Sequence, residues 1–248
     1  MSDMFDLTGK VAIITGSTRG IGRGIAEAMI AAGASVVVSS ENAAETTAAA
    51  AELGAYGIAC DVTDAAALTA LIDGTLARFG GLDILVCNAG ITDRRDRNTA
   101  EEFDRVIAVN LRSQVTLTQF ALPYLEARGG CVILIASIGG IRGNAMINSY
   151  ALAKAGVAQL ARNIAVQWGP KGVRANAISP GLIETELVAQ LPSGTEFMAR
   201  RMQMTPLRRM GSVAEIGASA VYLASRAGGF VNGHNLVIDG GTVITDGS

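Results

Sequence analysis

Long apolar runs are missing from this chain. No stretch approaches the ~20 consecutive apolar residues that cross a bilayer, which argues against a membrane protein. An excess of one charge is missing too. Lys and Arg number 20 against 22 Asp and Glu, a net charge of −2, so nothing favours nucleic acid or an anionic surface as a partner. Histidine is nearly absent: His234 stands alone, and the three cysteines, Cys60, Cys87 and Cys131, show no metal-ligand spacing. No metal site is expected. The cysteines read as reduced core residues of a cytoplasmic protein. The first residues, Met1 to Asp6, lack the basic and apolar segments of a signal peptide. Aromatics are only 4% of the 248 residues, while half are apolar and glycine is plentiful. That composition suits helices packed tightly against a parallel sheet.

What is present centres on the stretch from Ser137 to Lys154. Tyr150 and Lys154 are four residues apart. If Ala151 to Trp168 is helical, their side chains share a face one turn apart. An ammonium there favours the phenolate and lowers the Tyr150 pKa from about 10 toward the range of a general acid/base. Ser137 follows Val132 to Ala136, an apolar run that reads as a buried parallel strand. A hydroxyl, a phenol and an amine at a strand's carboxyl end suit proton transfer to or from a carbonyl or alcohol.

The rest of the chain alternates. Strands are expected at 10–15, 35–39, 56–60, 82–87, 132–136, 173–178 and 235–238. Helices are expected at about 21–32, 43–53, 64–79, 99–128 (bent at Pro123), 151–168 and from Ser212. Residues 182–211 read as irregular or short-helical. The first strand runs into Gly16, Ser17, Thr18, Arg19, Gly20, Ile21 and Gly22, then a helix. Gly16 would allow a tight turn, Gly20 an approach to phosphate, and Gly22 close helix packing. Composition nowhere breaks, so one domain over 1–248 with a parallel sheet is expected.

Taken together, Thr15 to Gly22, Asp61-Val62, Asn88-Ala89-Gly90, Asn110, Ser137, Tyr150 with Lys154, and Pro180-Gly181 resemble the short-chain dehydrogenase/reductase family. The resemblance covers essentially the whole chain and is nearest the branch holding 3-oxoacyl-carrier-protein reductases and many secondary-alcohol dehydrogenases. It implies a Rossmann-type, doubly wound α/β fold of about seven parallel strands with helices on both faces. It implies an enzyme that interconverts a secondary alcohol and a ketone with NAD(P). Tyr150 would be the acid/base. Lys154 would hold the nicotinamide ribose and depress the Tyr150 pKa, and Ser137 would hydrogen-bond the substrate oxygen. Asn110 would anchor a water in a proton relay. Asp61 and Val62 would meet adenine. Asn88, Ala89 and Gly90 would line the cleft. Ile183 and Thr185, after Pro180 and Gly181, would contact the carboxamide. Blander roles are also open: Asp61 starting a turn, Thr185 capping a helix, Asn110 bending one.

Cofactor choice turns on the end of the second strand. Ser39 and Ser40 stand there, with Ser40 where NAD-using relatives carry Asp, and Arg19 resembles the residue set against a 2′-phosphate. Glu41 argues the other way. NADP(H) is favoured slightly over NAD(H). Residues 139–148 and 182–205 should line a largely apolar substrate pocket. A carrier-protein substrate would need a basic landing patch, for which Arg128, Lys171, Arg200, Arg201, Arg208 and Arg209 are candidates. The Arg94, Arg95 and Arg97 cluster reads as a solvated loop. A non-catalytic dinucleotide-binding scaffold is the remaining alternative, which the complete Asn, Ser, Tyr and Lys set disfavours. The helices at about 103–125 and 151–168 are apolar on more than one face, so a second subunit is expected against them, within a homotetramer.

Overall fold

In the computed structural model, described over residues 2–93, 99–143, 147–189 and 195–245, the strands line up in the order β3-β2-β1-β4-β5-β6-β7. They are β1 (Val11–Thr15), β2 (Ser35–Ser39), β3 (Tyr56–Gly57), β4 (Ile84–Cys87), β5 (Cys131–Ile135), β6 (Arg174–Pro180) and β7 (Asn235–Ile238). Every pairing is parallel. Between β1 and β4 the order of the connections reverses, which opens a crevice at the strands' carboxyl ends.

Strand residues alternate between two cores, because successive side chains point to opposite faces. Ile13, Val37, Leu85, Cys87, Val132 and Leu134 face α3 (Ala65–Phe79), α5 (Ser113–Glu126) and α6 (Asn148–Trp168). Ile14, Val36, Val38, Val86, Ile133 and Ile135 face α1 (Gly20–Ala31), α2 (Ala43–Leu53) and α9 (Val213–Ala224). With both faces covered, the central strands are apolar throughout. Asn42 and Asp64 cap α2 and α3 with their side chains, and Ser212 with Glu215 forms a capping box on α9.

The long helix expected at 99–128 is interrupted elsewhere than at Pro123. It comprises α4 (Ala100–Ile107), a π-helical segment Ala108–Arg112, and α5, which holds Pro123 inside it. The departure from α geometry surrounds Asn110, and such π segments occur often at functional sites. Strand β3 is shorter than expected, although Ile58 N–H and Cys60 N–H continue bonding to Val38 and Ser40 (3.1 and 2.9 Å). Among its described residues, the 182–211 segment holds two short helices, α7 (Glu186–Ala189) and α8 (Thr195–Gln203). Arg94, Arg95 and Arg97 lie outside the described residues.

Candidate active site

The Gly-rich turn is built by close approach. Gly16 has φ +62, and a Cβ there would stand 2.8 Å from Ala89 Cα. A Cβ on Gly22 would collide with the Gly16 carbonyl oxygen and with Asn88 Nδ2. Asn88 Nδ2 donates to the carbonyls of Thr15 and Gly16 (3.0 and 2.8 Å). Thr15 Oγ1 accepts N–H bonds from Asn88 and Ala89 (3.0 and 3.2 Å). The end of β4 is thereby stitched to the turn after β1. Ser17, fully buried, donates to the Ile14 carbonyl and accepts the Ser39 N–H (2.7 and 2.9 Å). It tethers the turn to β2. Helix α1 has no side-chain cap at Arg19, so its first N–H groups are oriented for an anion.

Ser137 follows β5 in extended backbone and caps the short 3₁₀ turn at Ile138–Gly140. Its Oγ accepts the Gly139 N–H at 3.0 Å. With that lone pair used, the hydroxyl proton is free to donate elsewhere. Ser137 Oγ and the Tyr150 ring border the same glycine: a Cβ on Gly139 would stand 3.4 Å from the one and 3.6 Å from Tyr150 Cε1. Lys154 is buried on the same helix, and its Nζ donates to the Ile135 carbonyl at 2.7 Å. That Nζ lies 5.6 Å from the centre of the Tyr150 ring. A Cβ on Gly90 would stand 3.4 Å from Lys154 Nζ and 3.2 Å from Asn110 Oδ1, so the three meet closely. Asn110, fully buried, exchanges two bonds with the Ile91 backbone: Ile91 N–H to Oδ1 at 2.8 Å, Nδ2 to Ile91 O at 2.7 Å.

Burial pushes the Tyr150 phenol above its ordinary value, and Ser137 offsets this only in part. The Lys154 ammonium is engaged with Ile135 O, and burial brings its own pKa down to about 8. Cys87, beside it, is pushed up to about 12 by burial and stays a neutral thiol.

A family described as Enoyl-(Acyl carrier protein) reductase matches residues 16–243. A D-threitol dehydrogenase of Mycolicibacterium smegmatis is 38% identical over 97% of this chain and 95% of its own. The structure of a 7α-hydroxysteroid dehydrogenase complexed with NADH and 7-oxo glycochenodeoxycholic acid superposes with TM-score 0.92, 37% identity and 97% coverage of both chains. A gluconate 5-dehydrogenase from Burkholderia cenocepacia in complex with NADP and tartrate gives TM-score 0.93 at 35% identity, over 98% of this chain and 99% of that one. The chain belongs to the short-chain dehydrogenase/reductase family. It is an oxidoreductase acting on CH–OH donors with a nicotinamide dinucleotide.

The residues present fit that dinucleotide. Gly20 leaves room at the uncapped end of α1, in a turn that Gly16 and Gly22 allow to close, and the Ser39 hydroxyl at the end of β2 is buried without a partner among the described residues. The side chain of Thr185 reaches the same turn, 3.6 Å from where a Gly20 Cβ would stand, while its Oγ1 accepts the Val188 N–H. Several expected contact residues also hold the fold. Asp61 Oδ1 accepts the N–H and hydroxyl of Thr63, a turn start that leaves Oδ2 (2.8 and 2.7 Å). Val62 packs against a core, Ile183 is buried in the other, and Ser40 Oγ accepts the Asn42 N–H. Gly181 N–H continues the ladder to Ile238, just beyond Pro180. Arg19 is mostly exposed and meets Glu45, not Glu41, at 3.7 Å. Of the proposed landing patch, Lys171 pairs with Glu126 and Arg209 with Glu215.

Sequence reasoning missed Asp93 as a site residue. Its carboxylate accepts the Tyr150 N–H at 3.2 Å and supplies the cap that Ile147 cannot. No motif marks it, because the pairing spans 57 positions.

Proposed function

We propose that Tyr150 donates a proton to a ketone oxygen as it is reduced, and takes one from an alcohol in the reverse direction. When bound, the nicotinamide dinucleotide supplies or accepts the hydride. The observation that carries this reading is the convergence of Ser137, Tyr150 and Lys154: Ser137 Oγ and the Tyr150 ring both border Gly139, and the Nζ of the buried Lys154, one helical turn on, lies 5.6 Å from the ring centre. Ser137 would donate to the substrate oxygen and stabilise its developing charge. Lys154 would replenish the proton. The Asn110 side chain is committed to Ile91, so its part in a relay would fall to the backbone of the π segment. The raised phenol favours the protonated form, which suits the reducing direction.

The remaining cofactor residues, from Gly16 through Thr185, take the roles their positions allow. NADP(H) is the preferred cofactor: no carboxylate stands at Ser39 or Ser40, and Arg19 is within reach of the same rim. The substrate is a small carbonyl or alcohol, and the protein acts as a homotetramer. Three buried, unpaired thiols suit the cytoplasm. The test is kcat/KM with each cofactor in wild type, Arg19→Ala, Ser40→Asp and Glu41→Ala. The reading requires an NADP preference that Arg19→Ala and Ser40→Asp both erode. A wild-type preference for NAD that Glu41→Ala weakens overturns it.

A further inference from the structure

The segment after β4 is held at three successive residues. Ile91 exchanges two backbone bonds with the Asn110 side chain (2.8 and 2.7 Å). The Thr92 carbonyl accepts from Arg105 Nη2 at 3.1 Å. Asp93 accepts the Tyr150 N–H at 3.2 Å. The first and third ties belong to residues of the site. The second comes from α4.

Arg105 is itself fixed. Its Nε and Nη2 donate to the two oxygens of the Glu102 carboxylate, at 2.9 and 2.6 Å, one turn back on the same helix. The Glu102 side chain is 5% exposed and that of Arg105 32%. An exposed pair at this spacing would be worth little. This one is largely out of water and bidentate, so the planar guanidinium is pinned in one place. Nη2 serves both Glu102 and Thr92, so the ion pair sets where the Thr92 carbonyl stands. One planar peptide unit joins that carbonyl to Asp93, which restricts where the Asp93 carboxylate can lie.

Asp93 acts on Tyr150 at its root. Tyr150 is the third residue of α6, and its N–H precedes the helix's own ladder, which starts with Ala151 N–H on the Ile147 carbonyl at 2.9 Å. We infer that Arg105, held by Glu102, is a positioning residue for Tyr150: through Thr92 and Asp93 it sets where the first turn of α6, and so the phenol, stands against Ser137. This rests on the acid/base reading of Tyr150 above.

Hydrogen exchange, resolved to single residues by mass spectrometry, tests the chain of contacts without substrate. Arg105→Met keeps the aliphatic stem and removes every donor. It should speed exchange of the Tyr150 N–H about tenfold, the scale of a lost bond to a charged acceptor. Asp93→Ala should do the same, and the double variant no more than either alone. The β5 amides, which report global opening, should change less. Unchanged Tyr150 exchange in Arg105→Met, equal acceleration in β5, or a further rise in the double variant overturns the proposal.

Turnover is read at saturating cofactor with threitol, gluconate or 3-hydroxybutyrate, whichever wild type uses fastest. Arg105→Met should lower kcat about tenfold, leave the substrate KM within about twofold, and add nothing in the Asp93→Ala background. Losses that multiply in the double variant overturn the proposal. Arg105→Lys keeps the charge, but one ammonium does not reproduce the fork. Its kcat and exchange rate should lie between those of wild type and Arg105→Met, and it carries both tests if Arg105→Met does not fold. Where none of the three compounds is turned over, exchange decides alone. An inactive Tyr150→Phe beside a fully active Arg105→Met would leave the acid/base reading standing and remove only this proposal. A fully active Tyr150→Phe would remove the reading itself.

Discussion

The backbone N–H of Tyr150 donates to the carboxylate of Asp93 at 3.2 Å. Tyr150 is the third residue of α6, whose N-cap, Ile147, has no capping side chain. A carboxylate from the segment after β4 therefore closes this helix end and complements its dipole. Asp93→Ala should lower stability by about 1 kcal/mol and reduce kcat by letting the phenol drift. Asp93→Asn, which keeps an acceptor, should recover most of both. Urea unfolding and steady-state kinetics on the two variants check this; equal losses in both would assign the effect to charge instead.

Tyr150→Phe keeps the ring and removes the transferable proton. Turnover should fall by at least ~10²-fold, while cofactor affinity measured by fluorescence stays within about twofold. Near-normal kcat would sink the acid/base assignment.

Lys154 gives stability a pH dependence of predictable sign. Burial lowers its folded pKa to about 8 from 10.5. Between these values the unfolded chain binds more protons than the folded one, so this group's contribution makes stability rise with pH across that window. Below it, both states are protonated and the burial penalty is constant. Lys154→Met, similar in length and uncharged, should be more stable than wild type near neutrality by on the order of 3 kcal/mol, though inactive. The gap should narrow between pH 8 and 10.5. Denaturation midpoints for the pair across that range test it, and a gap independent of pH would refute the assignment.

Gly22→Ala places a methyl against the Gly16 carbonyl and Asn88 Nδ2. Overpacking of this kind costs about 1–3 kcal/mol. Because the strain falls where the turn meets α1, the KM for cofactor should rise tenfold or more while the substrate KM changes little. Thermal melting with and without cofactor should show the loss of cofactor-induced stabilisation.

Apolar side chains remain uncovered along α5 and α6. A groove of about 400 Å³ runs between Val115, Leu122, Leu160 and Trp168, and Phe120, Tyr124, Leu152 and Val166 are exposed on the same helices. Light scattering at micromolar concentration should give a tetramer mass, and Leu160→Arg should reduce it. A monomer in wild type would exclude the assembly.

What the sequence determined by itself was local. Apolar runs of strand length, glycines at turns and the four-residue spacing of Tyr150 and Lys154 depend on backbone geometry within a few positions. They located the seven strands and the Ser137, Tyr150 and Lys154 set. Tertiary structure decided what each of those groups experiences. Packing places the Lys154 ammonium against the Ile135 carbonyl, and burial raises the pKa of the Tyr150 phenol. Asn88, Ser17 and Asn110 carry fold-holding bonds that residue type alone does not reveal. The π segment falls where Asn110 turns inward to the Ile91 backbone, which local spacing does not foretell. Burial, charge neighbours and a bond spanning 57 positions are properties of proximity in space, and local spacing carries no record of them.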